Sequence, residues 1–117
     1  KELSIDDVRA LLKDHFTGGA TKNLKVEDIQ RVVEEFFKVK HSDLVGSNRS
    51  RNIVYPRQIA IYLCRQLLDL PYNDIGKKFN RDHSTAMHSV TSVEEQIQKN
   101  REVQEEIEIL KQLIKEC

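Results

Sequence analysis

Apolar residues recur along the chain at helical spacing, and no stretch alternates like a half-buried strand. Ile5, Val8, Leu11, Leu12 and Phe16 form a first stripe. Ser4 stands before it as an N-cap, with Asp7 three residues on in a capping-box-like position. Thr17-Gly18-Gly19-Ala20 ends that helix and reads as a hinge. A second helix carries Val26, Ile29, Val32, Val33, Phe36 and Phe37 on one face. Lys40 to Asn52 is polar and reads as a loop, with a short turn at Ser42-Asp43-Leu44. Pro56 suits the first turn of the next helix, where its missing N–H would have no partner in any case. That helix bears Ile59, Ala60, Ile61, Tyr62, Leu63, Cys64, Leu67 and Leu68. It is apolar around much of its circumference, so the pattern makes it the central buried helix. Pro71 opens a short helix with Ile75 and Phe79 inward, and Asn80-Arg81 form a tight turn. A longer helix starts near Asp82 or His83 and turns Ala86, Val90, Val93 and Ile97 to the core. After a break near Asn100, a last helix points Val103, Ile107, Leu110 and Ile114 inward and Glu-rich positions outward.

Composition narrows the class to a small all-α domain. The chain has 117 residues, with 4 Gly and 2 Pro, too few for a sandwich of many tight turns. No apolar run approaches the ~20 residues of a membrane span. No signal peptide is visible, so a cytoplasmic location is expected. Cys64 and Cys117 lack metal spacing and read as reduced thiols. Lys1 opens the chain and Met87 is the single Met, which suggests a piece of a longer protein. The 19 bases and 19 acids cancel, yet they are unevenly placed. Residues 49–88 hold seven bases and three acids, net +4, whereas residues 94–117 hold four bases and seven acids, net −3. A local positive surplus attracts polyanions even where the total is zero.

Tyr72 to Ile97 has the dimensions of a helix-turn-helix, a short helix, a turn of about three residues and a longer helix. Small Gly76 permits close packing, and Asn80 tolerates the left-handed backbone that a sharp turn needs. The longer helix opens with Asp82, His83, Ser84 and Thr85, and its apolar face starts only at Ala86. A polar first turn on a buried helix can enter a groove of duplex DNA. There a carboxylate accepts from cytosine, His and Ser bond base edges, and a Thr methyl packs on thymine. Asp82 is equally suited to cap the helix, and both roles stay open. His83 and His88 lie on different faces and do not suggest a metal site, while His15 and His41 read as isolated surface residues. No nucleophile–base pair or paired carboxylates point to an enzyme. A protein-interaction module of a larger protein, docking through the acidic last helix or the Phe36-Phe37 helix, is the alternative to DNA binding.

Arg81-Asp82-His83-Ser84-Thr85 followed by His88, with Tyr55-Pro56-Arg57-Gln58-Ile59-Ala60 upstream, resembles the C-terminal DNA-binding domain of the bacterial DnaA replication initiators. The similarity covers about residues 24–117, and residues 1–19 resemble the last helix of that family's AAA+ lid. The resemblance implies a boundary after residue 19, with a Trp-repressor-like helix-turn-helix domain over residues 20–117. It implies sequence-specific binding of one monomer per DnaA box at the replication origin. Base contacts would fall to Asp82, His83, Ser84 and Thr85. Arg49 would enter the minor groove, with Arg51 as its rival, and Arg57, Gln58 and Arg65 would meet phosphate. The loop Val45-Gly46-Ser47-Asn48-Arg49-Ser50-Arg51 is less basic than in many relatives, and Asn80 stands where many have Gly. No Gly-rich Walker loop is present. ATP and Mg binding and self-assembly through an AAA+ region are therefore expected of the parent protein and no cofactor of this chain. Contact with acidic phospholipids would fall to Ser4–Phe16, where Asp6, Asp7 and Asp14 outnumber Arg9 and Lys13.

Overall fold

A computed structural model describes residues 24–116. The expected helix and hinge over residues 1–19, His15 and Cys117 lie outside the described residues. Helix α1 spans Val26–Phe37, α2 His41–Leu44, α3 Arg51–Leu63, α4 Tyr72–Lys78, α5 His83–Lys99 and α6 Arg101–Lys115. No strand occurs among the described residues.

Helix α3 is the axis of the core, packed on α1 and α5, while α6 closes over α1 and α5. Ile59, Ala60, Ile61, Leu63 and Cys64 are fully buried, as the apolar run predicts. Burial pushes the Cys64 thiol up to about 12, so it stays protonated and serves as a small apolar side chain. The α1 stripe buries Val26, Ile29, Val32 and Val33, while Phe36 and Phe37 are half-buried. Their rings meet edge to face, and Phe37 meets Tyr55 in the same way. Both rings also pack against the core. Two polar ties fix helix orientations. Tyr55 Oη donates to Glu106 Oε1 (2.7 Å), joining α3 to α6. Buried Gln30 donates through Nε2 to the Lys78 carbonyl (3.1 Å), joining α1 to the end of α4. Outside it Lys78 Nζ pairs with Glu27 (2.7 Å), and this ammonium lowers the Glu27 carboxyl below its usual range.

Two boundaries differ from the sequence expectation. Pro56 is not in the first turn of α3 but five residues past its start at Arg51. Ser50 supplies the start: its backbone is extended, and its carbonyl accepts from the amides of Ile53 and Val54 (2.9 and 2.8 Å). Pro56 then removes the N–H that would reach the Asn52 carbonyl, and Asn52 is exposed, so water can take that place. At its other end α3 does not continue as regular helix to Leu68. Cys64–Leu68 forms a wider π-helical turn, ended by Asp69 with a left-handed backbone (φ 53°). Extra width at this point shifts the side chains after Cys64 off the regular helical stripe.

Candidate nucleic-acid interface

The turn between α4 and α5 is built on buried anchors. Ile75 and Phe79 have no exposure and lock α4 onto the core. Asn80 takes the left-handed conformation expected of it (φ 58°). The Gly76 carbonyl accepts from the amides of Phe79 (3.0 Å) and Arg81 (2.8 Å), which folds the turn back on α4. A Cβ at Gly76 would lie 2.5 Å from the Arg81 carbonyl oxygen and 3.0 Å from that of Asp82. Glycine is thus required by the approach of the turn.

Helix α5 starts directly on this platform. Asp82 Oδ1 accepts from the Thr85 amide (2.9 Å), so the capping role is present. Bonds from the Thr85 amide and hydroxyl hold the Asp82 carboxyl below the usual carboxylate range, aided by nearby His83. Asp82, His83, Ser84 and Thr85 are all exposed, whereas the next residue, Ala86, is fully buried. The outward side continues through Met87, His88 and Thr91. Met87, 43% exposed, is the exposed large apolar side chain of the described surface. Ala86, Ser89, Val90 and Val93 hold the opposite side in the core.

The loop after α2 lies against the same turn. Arg57 is 5% exposed, and its guanidinium faces this loop and not solvent. Its Nε donates to the Leu44 carbonyl (2.7 Å), and Nη2 donates to the carbonyls of Asp43 (2.7 Å) and Asn48 (2.9 Å). Burial, with Arg81 as a nearby like charge, lowers the Arg57 pKa, and Asp43 works against that shift. Arg57, expected at a phosphate, braces the loop from inside. Arg49 and Arg51 project beyond the brace and are exposed.

Arg65 and Gln58 occupy other edges. Arg65 is 35% exposed, with Nη1 donating to the Leu70 carbonyl (2.7 Å) and lying 3.7 Å from Asp69. Its guanidinium stacks 4.7 Å from the centre of the Tyr72 ring, so the π-helical turn aims it at the start of α4. Gln58 is half-buried beside a cleft that Arg51, Asn52, Ser92 and Gln96 also line. The structure thus places Asp82–Thr85 at one helix start and Arg49 on the adjoining loop, while Gln58 lines the cleft beside Arg51 and Arg65 packs on Tyr72. Sequence reasoning assigned no role to Arg81, Tyr72 or the Asn80 amide. Asn80 and Arg81 donate to backbone carbonyls, which carry no residue-type signal, and the Tyr72 ring meets the Arg65 guanidinium across a turn. His41 is exposed as expected but not isolated, with Nδ1 2.7 Å from Glu34.

Among the described residues, no group of three or more His, Cys, Asp or Glu side chains could hold a metal ion. No described helix is long and apolar enough to cross a membrane.

Comparison with known proteins gives a consistent answer. The family model described as the bacterial dnaA protein helix-turn-helix matches residues 26–93, more than half of the chain. The chromosomal replication initiator protein DnaA of Rhizobium meliloti is 42% identical over 116 residues, covering 98% of this chain and 24% of that protein. The protein of the same name from Lachnoclostridium phytofermentans is 43% identical over 111 residues, and that from Treponema pallidum 36% over 115. The chain spans about a quarter of the length of these curated relatives.

Proposed function

The chain belongs to the bacterial DnaA family, and on that premise we propose that it binds the DnaA boxes of a replication origin in duplex DNA, one monomer to a box. The observation that carries this reading is the start of α5, where four exposed polar residues directly precede a fully buried Ala86 on a turn locked to the core. Asp82, His83, Ser84 and Thr85 read base edges in the major groove. Arg49 reaches the adjacent minor groove from its braced loop. Arg65 and Gln58 meet phosphate and set register without reading sequence. Arg57 supports the loop that carries Arg49. Readout of two grooves by one monomer accounts for specificity without a dimer.

A gel-shift titration of a DnaA-box duplex against a scrambled duplex of equal length, at two salt concentrations, tests this. Salt should weaken both complexes, and the box should keep an advantage of roughly 1,000-fold or more. Equal affinity for the two duplexes would refute the reading. For the whole protein, the proposal extends to ATP and Mg binding and self-assembly through an AAA+ region, a cytoplasmic location and contact with acidic phospholipids.

A further inference from the structure

Five backbone carbonyls at the end of α2 and in the loop that follows it accept hydrogen bonds from side chains, where water would be the ordinary partner. Arg57 takes those of Asp43, Leu44 and Asn48 and ties the loop to α3. The other two are tied to the helix-turn-helix. Asn80 Nδ2 donates to the Val45 carbonyl (2.9 Å), and Arg81 Nη2 donates to the Gly46 carbonyl (2.6 Å). Arg81 is itself immobilised, since its Nη1 donates to the carbonyls of Phe79 (3.2 Å) and Asn80 (3.1 Å) on its own turn. One planar guanidinium therefore spans two segments 35 residues apart in sequence. Gly46 suits this arrangement because a Cβ there would lie 2.4 Å from the Ser42 carbonyl oxygen, so the loop backs closely onto α2.

The placement has a mechanical consequence. Arg81 immediately precedes Asp82, the cap of α5, and Gly46 stands three residues before Arg49. We propose that Arg81, supported by Asn80, is a positioning residue that sets the spacing between the Arg49 loop and the α5 turn, so that both engage DNA in one fixed geometry. This rests on the DNA-binding reading above and deepens it. Arginine is required and lysine is insufficient, because a single ammonium on a flexible stem cannot hold the fork that grips its own turn and the loop together. Arg81 contributes through geometry and not as a charge offered to phosphate, since both terminal nitrogens already donate to protein carbonyls.

The test uses the full chain with Arg81→Lys, Arg81→Ala, Asn80→Gly, Arg49→Ala and the Arg49→Ala/Arg81→Ala double variant. Affinity is read by fluorescence anisotropy on a box duplex and a scrambled duplex at two salt concentrations, with a melting curve on each protein. Arg81→Lys and Arg81→Ala should both lose about tenfold at the box while scrambled affinity and salt slope stay unchanged. The double variant should be no weaker than Arg49→Ala alone, because a displaced loop has no further contact to lose. Trypsin should cut after Arg49 and Arg51 faster in both Arg81 variants. Asn80→Gly keeps the left-handed turn and should fall between wild type and Arg81→Ala, and with Arg81→Lys it carries the test if Arg81→Ala fails to fold. Wild-type behaviour of Arg81→Lys, or losses that multiply in the double variant, would overturn the proposal. A salt slope shallower by about one unit on both duplexes would make Arg81 a phosphate contact instead. An Arg49→Ala protein with full box preference also overturns it, and Thr85→Ala then separates the cases. If Thr85→Ala loses preference, only the loop's role has failed, and if it does not, the DNA-binding reading fails as well.

Discussion

Replacing Gly76 by alanine adds one methyl group where two backbone carbonyls converge. In the middle of a helix this change ordinarily stabilises by about 1 kcal/mol, through propensity and a less flexible unfolded chain. Here the new Cβ would stand 2.5 Å from the Arg81 oxygen and 3.0 Å from the Asp82 oxygen, where ordinary contact begins at 3.4 Å. The nearer carbonyl must retreat by roughly 1 Å, and it belongs to backbone that cannot rotate aside as a flexible side chain would. The Arg81 amide is also bonded to the Gly76 carbonyl, and Phe79 is fully buried beside it, so the turn cannot lift without disturbing its anchors. Overpacking of this kind costs about 1–3 kcal/mol, and the tight backbone contact places it toward the upper end. After the propensity gain, a net loss of about 1–2 kcal/mol remains, which lowers the melting temperature by roughly 5–15 °C for a domain of this size. Thermal unfolding followed by circular dichroism measures it. Box affinity should fall further than stability alone requires, because the retreat moves Arg81 and Asp82 together. A Gly76→Ala protein that melts at or above the wild-type temperature would refute the close-approach argument.

Other outcomes follow from the same geometry. Thr85→Ala should cost about 1–3 kcal/mol at the box and almost nothing on scrambled DNA, as read by competition binding, with the fold retained because Thr85 is exposed. Arg65→Ala should weaken box and scrambled duplex by similar factors and shallow the salt slope by about one unit. Arg57→Lys should destabilise the domain by about 2–3 kcal/mol in denaturant titration, because an ammonium donates from one point and cannot reproduce the separate Nε and Nη2 positions that reach the three carbonyls, and its salt slope on scrambled DNA should stay unchanged. The Asp82 carboxyl is depressed in the folded protein, so its capping contribution is full above the unfolded value near 4 and is lost as pH falls through the folded value. Melting temperature should therefore drop more steeply below about pH 4 in wild type than in Asp82→Asn, which should keep its stability at neutral pH while blurring base preference; parallel pH-dependent melts and single-base box variants measure the two effects.

The order of helices, the buried character of α3 and the polar opening of α5 were legible in the residues, because each depends on local spacing. An apolar residue every three or four positions has one way to face a core, and Ala86, Val90 and Val93 do so. The short turn at Ser42-Asp43-Leu44, the left-handed Asn80 and the capping ability of Asp82 were likewise visible, since they rest on backbone preferences of single residues. Pro56 misled because proline marks a helix start only on average. Here Ser50, whose amide bonds the Asn48 side chain, opened the helix earlier.

Charge shows the opposite case. Counted along the chain, residues 49–88 carry seven interchangeable bases. Folding makes them unlike one another. Arg57 is buried on three carbonyls, Arg81 grips a second segment, Lys78 pairs with Glu27, and Arg65 stacks on Tyr72. Arg49, Arg51 and Lys77 are left at the surface. Residue type and spacing specify that a guanidinium has donors in a fork, but not which carbonyls will converge on it. Those carbonyls come from segments up to 35 residues away, and only the packing of α3 and α4 against the loop brings them within 3 Å. Helical periodicity is local and survives in one dimension, whereas the partner of an arginine is a property of three.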